Sequence, residues 1–370
     1  MSSETQYFGR LRDSLAPIEI GTAEDRILIM FLSEARRLDE LENPGKHPLY
    51  RLQPMSGEAV LSIPIIKADY NRTLEDVYLD IAKQIILRAE DLRILSAVSH
   101  DSNNPGSGSC LPSWVPRWDV PINHLRPGLS KSSYHSQPWT NTVPFEEAVK
   151  IDGDVLNCHG FIIDTITSTT APISRDSFVD YETLVNFWKT LISWSTPKYP
   201  FAIDKLKLYQ RLLTSNNVGG SIMSVLGLGP GNEKLLADFA AYWIPFHEAE
   251  RTAIHGHGEE MEALAPGFFA VPEVEEMAKS GESGDFVRHA LSISKGLKLF
   301  ETKAGFFGSG PGGLEVGDVV CVFLASEVPF VMRKREEWGW ILIGPCFVDG
   351  VEELGEQRLN DGKPEIFSIH

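Results

Sequence analysis

Cysteine is scarce in this chain of 370 residues. The four thiols, Cys110, Cys158, Cys321 and Cys346, are widely scattered and form no C-x-x-C pair. That spacing implies neither a disulfide framework nor a structural zinc site. Long apolar runs are equally lacking. Runs such as Ile27 to Leu32 fall far short of the roughly 20 residues a bilayer crossing requires, and the opening residues MSSETQYFGR contain no apolar signal core. A soluble, cytoplasmic protein without a membrane span is expected. Positive charge is also short, with 34 Lys and Arg against 51 Asp and Glu and a net charge of −17. The one basic run, Arg333-Lys334-Arg335, is followed at once by Glu336-Glu337. Nothing in this balance attracts a phosphate backbone, so nucleic acid is not an expected partner.

What the chain does have is 42% hydrophobic residues, ample for a core, and a length that suits two or three compact units. The first part reads as helical. From Asp25, apolar residues recur at spacings of three and four until Asn43-Pro44-Gly45. Thr73-Leu74-Glu75-Asp76 has the form of a capping box, and Leu74, Val77, Tyr78, Ile81, Ile85 and Leu87 would supply the buried face of the helix it opens. Residues 106–145 read as an irregular linker. It contains Leu111-Pro112-Ser113-Trp114-Val115-Pro116-Arg117-Trp118-Asp119, which suggests an extended segment pinned to a surface.

Beyond residue 146 the expectation is an α+β region. A hairpin signal surrounds Asp152-Gly153, and a β-rich run continues to Thr167. Helices follow over 180–297. Phe187, Trp188 and Leu191 belong to one core-facing stripe, Asn232 would cap a helix that Pro245 must kink or end, and Gly296 would close the last. A β region over 298–350 contains an antiparallel meander of Val319 to Leu324, Val328 to Met332 and Trp338 to Phe347. Three strands alone bury too little, so the run Val155 to Thr167 is expected to complete a small antiparallel β-barrel-like unit with them.

Candidate chemistry meets a plainer reading at each motif. Gly308 to Gly313 satisfies G-x-G-x-x-G, but a strand rather than a helix follows, so a glycine-rich β connection is expected in place of a phosphate cradle. His247-Glu248-Ala249-Glu250-Arg251 begins like a zinc helix, yet Arg251 stands where the second ligand would be, and His255 and His257 follow among glycines. Cys158-His159 cannot be a nucleophile–base pair, because strand neighbours point to opposite faces. No catalytic residue, metal or cofactor is assigned.

Whole segments are nonetheless familiar. Tyr70 to Tyr78, Leu92 to Ser96 and Leu111 to Asp119, followed by Phe300 to Gly308, Gly317 to Cys321, Val328 to Arg333 and Gly344 to Gly350, resemble in the same order the region downstream of the HET domain in fungal heterokaryon-incompatibility proteins. The blocks that define the HET domain itself are not seen, so the chain resembles the C-terminal part of that architecture. The resemblance implies a non-enzymatic interaction or regulatory role with a protein partner and without autonomous cell-death activity. An accessory protein or an uncharacterised enzyme of fungal specialised metabolism is the alternative. Candidate interaction residues are Trp114, Trp118, Gly308 and Gly310, against the plainer possibility that both tryptophans are core and seal a domain junction.

Overall fold

In this computed structural model the residues described are 73–98, 100, 111–117, 137–140, 142–194, 202–215, 232–252, 272–335 and 339–370. The expected helix from Asp25 lies outside them. The class is α+β, as the sequence suggests, and among the described residues two hydrophobic cores share one sheet of nine strands.

The long strand β2, Val155–Thr169, organises that sheet. It forms a hairpin with β1, Val149–Asp152. Only the first of the two linking residues, Gly153, has a positive φ, at 58°, as a type II′ turn requires. The other side of the same stretch pairs with β9, Glu365–Ile369, and further along β2 pairs with β5, Val319–Phe323. Its last residues pair with β3, Lys298–Thr302. One strand serves four partners because it bends. Buried positions run Leu156, Cys158, Gly160, then switch to Phe161 and Ile163. The register slips between Ile162 and Asp164, where the Asp164 carboxylate accepts from the N–H groups of Thr165 and Ala304. At Gly160 a Cβ would stand 2.3 Å from the Val322 carbonyl oxygen, so this crossing demands glycine.

From β5 the meander continues through β6, Phe330–Arg335, and β7, Gly339–Pro345, as expected. A parallel bridge from Trp340 to Ile369 then returns it to β9, so β2, β5, β6, β7 and β9 form a ring. On the far side of β3 lie β4, Phe307–Gly310, and the short β8, Phe347–Val348. The Val155 to Thr167 segment thus joins the C-terminal strands into a barrel-like ring.

Helix α1, Leu74–Ala89, begins where the capping box places it, with the Thr73 hydroxyl accepting from the Asp76 N–H at 3.1 Å. Its buried face differs in part from the expectation. Ile85, with Tyr78 and Ile81 beside it, packs against the barrel as expected and is joined by Ala82 and Ile86, whereas Leu87 is 55% exposed. Leu87 is two residues from Ile85, about 200° around a helix, so it cannot share that face. A short helix α2, Phe145–Ala148, leads into β1.

The second core is helical. It is built from α3, Asp176–Val179, α4, Tyr181–Ser193, α5, Ala202–Thr214, α6, Asn232–Thr252, α7, Pro272–Ala278, and α8, Ser283–Ser294. Helix α6 starts at Asn232, but it runs through Pro245 instead of ending there. Trp188 centres this core, with its ring 4.5 Å from Trp243 and 5.4 Å from Tyr209, both edge-to-face. Leu299, Phe307 and Phe347 project into the same core from the strands beneath. The sheet β3–β4–β8 is therefore the floor of the helical lobe. Among the elements not foreseen are helix α9, Val351–Asp361, and strand β9. Among the described residues no helix is long and apolar enough to cross a membrane.

Candidate functional site

The Trp/Pro-rich motif is a turn and not the extended segment expected, since Val115 N–H donates to the Pro112 carbonyl at 3.1 Å. Ser113 is its hub. Its N–H and hydroxyl both donate to the His370 carbonyl, and its hydroxyl accepts from the Leu342 N–H at 3.0 Å. His100 Nε2 meets the Ser113 carbonyl oxygen at 3.1 Å and not the hydroxyl, so the neighbouring Ser and His form no nucleophile–base pair. Trp114 is fully buried, and its Nε1–H donates to the Asp154 carbonyl at 2.9 Å, which ties the turn to the β1–β2 hairpin. The core reading of Trp114 is the one its burial supports. Trp118 lies outside the described residues.

Gly308 and Gly310 stand in β4 itself. A Cβ at Gly308 would meet Phe300 Cζ at 2.3 Å and the Phe347 carbonyl oxygen at 2.4 Å, and one at Gly310 would meet Leu314 Cδ2 at 2.9 Å. These glycines let the Phe300 ring lie flush against the neighbouring strand. They meet a packing need, and the run from Pro311 is the connection to β5.

The loop between β4 and β5 is held from below. Arg333 Nε and Nη2 donate to the two carboxylate oxygens of Asp318 at 2.7 and 2.9 Å, and Nη2 also donates to the Gly313 carbonyl at 2.9 Å. Asp318 further accepts from the Glu315 N–H at 2.7 Å, while Lys298 Nζ donates to the Leu314 carbonyl at 2.9 Å. The Asp318 carboxylate, hydrogen-bonded to the guanidinium, raises the Arg333 pKa, and burial opposes this more weakly. At the tip, Glu315 to Asp318 is a hydrogen-bonded turn with Gly317 at φ 97°, and Val316 beside it is 62% exposed. The arrangement offers a rigid tip with an apolar point.

The basic run is accordingly divided. Arg333 turns inward, while Lys334 lies 5.9 Å from the centre of the Trp340 ring. Two further ion pairs are structural. Arg211 of α5 grips Asp349 through two hydrogen bonds of 2.6 and 2.9 Å, which joins the helical lobe to the strand end after β8. Lys234 Nζ meets the buried Asp238 at 2.7 Å, and Asp238 also accepts from the Glu282 N–H. None of these pairs is local enough in sequence, apart from the i,i+4 Lys234–Asp238, to be found from the letters alone.

Cys158, Cys321 and Cys346 are all buried thiols, and desolvation pushes each well above its ordinary pKa of 9.0. Thiolate chemistry is suppressed there. Cys158 faces the core and His159 the other side of β2, as alternation requires, and Cys110 lies outside the described residues. His247 and Arg251 fall on α6, while His255 and His257 lie outside the described residues. Among the described residues no group of three or more His, Cys, Asp or Glu side chains is placed to hold a metal ion.

Comparison with known proteins supports the resemblance to heterokaryon-incompatibility proteins. Residues 236–369 match the Het-6 beta-barrel domain. Heterokaryon incompatibility protein 6, OR allele, of Neurospora crassa is 24% identical over 324 residues, covering 77% of this chain and 45% of that protein. The chain thus resembles heterokaryon-incompatibility proteins over most of its length and spans less than half the length of this relative. No solved structure matches it. The segment matching the Het-6 beta-barrel domain starts inside α6 and contains β3 to β9, yet the strand that closes the ring, β2, lies upstream of it.

Proposed function

We propose that this chain is a non-enzymatic interaction or regulatory module of a filamentous fungus, similar to the accessory region of heterokaryon-incompatibility proteins and without cell-death activity of its own. One observation carries the reading: the strongly hydrogen-bonded ionisable groups serve architecture. Asp318 with Arg333, Asp349 with Arg211 and Asp238 with Lys234 each fasten one element to another. The partner is a protein, and the chain acts in the cytoplasm. The recognising surface is the exposed tip, Glu315 to Gly317, of the loop between β4 and β5. Gly308 and Gly310 support that loop from β4, Trp114 packs within the barrel core, and Trp118 lies outside the described residues.

Inducing the chain alone in a filamentous fungus and scoring viability tests this proposal. Unimpaired growth is the expected result, and growth arrest or death would overturn it. In a pull-down from the same cells, Val316→Asp should lose a partner that the parent chain retains while its melting temperature stays the same. Equal retention by both would remove the loop from the recognising surface.

A further inference from the structure

No further inference is drawn: the strongest candidate, the outward face of β1, β2 and β9 where the exposed Ile366 pairs with His159 beside the hydrogen-bonded row Asp152, Asn157 and Ser368, is an unpartnered sheet face, and nothing in the structure shows what covers it.

Discussion

Gly355 lies against the ring of Trp139 so closely that a Cβ on it would stand 2.1 Å from Trp139 Cε3. The contact seats helix α9 on the barrel. Trp139 cannot retreat, because it is buried and its Nε1–H donates to the Ser326 carbonyl at 2.8 Å. Gly355→Ala gains about 1 kcal/mol of helix propensity, but overpacking a filled core costs about 1–3 kcal/mol. The clash should win. The expected outcome is a lower urea midpoint, and an unchanged or raised midpoint would show that the ring yields freely.

Trp114 separates packing from hydrogen bonding. Trp114→Ala removes a fully buried indole and should cost about 3–5 kcal/mol, whereas Trp114→Phe keeps most of the ring and loses the bond to Asp154. Thermal melts should rank parent, Phe and Ala in falling order. If both variants melt with the parent, the indole is not part of the core.

The Arg333–Asp318 pair is expected to act asymmetrically. Arg333→Met leaves the Asp318 carboxylate buried without its guanidinium, at a cost of about 3–5 kcal/mol. Arg333→Met with Asp318→Asn should recover part of that loss, since no unpaired buried charge remains and Glu315 is largely exposed. A double variant no more stable than the single one in chemical denaturation would contradict this account.

The buried thiols fix a pH dependence. Their folded pKa values lie above the unfolded value, so they cost nothing below about pH 9, where both states hold the proton. Above it the unfolded chain ionises first, and each thiol removes about 1.4 kcal/mol of stability per pH unit. Denaturation of Cys158→Ala between pH 9 and pH 11 should show a shallower alkaline fall than the parent. Parallel curves would mean that Cys158 ionises alike in both states.

The segment matched by the Het-6 beta-barrel domain should not fold alone. Residues 236–370 lack β2, which β3, β5 and β9 all pair with, and lack the rings of Trp114 and Trp139. A fragment of 73–370 should show cooperative unfolding and dispersed amide resonances, and 236–370 should show neither. Dispersed resonances from the shorter fragment would place a complete fold inside it.

The letters alone were decisive wherever structure depends on residues a few positions apart. Thr73 caps α1 because Asp76 N–H is within reach of its hydroxyl. Gly153 turns the hairpin and Gly296, at φ 84°, ends α8 because each conformation is costly for a side chain with a Cβ. The stripe of Phe187, Trp188 and Leu191 and the meander from β5 to β7 were legible by periodicity for the same reason. Pairing across long separations was not. That β2 bends to meet four partners, that β9 closes the ring, and that Trp114 is sealed inside were settled only by the tertiary structure. The candidate site divides likewise. Gly308 and Gly310 stand out as letters, but their cause is the Phe300 ring across the sheet, and Arg333 looks like one member of a basic run until Asp318 lies beneath it. Burial and ion pairing depend on what the rest of the chain brings to a residue, and no local spacing encodes that.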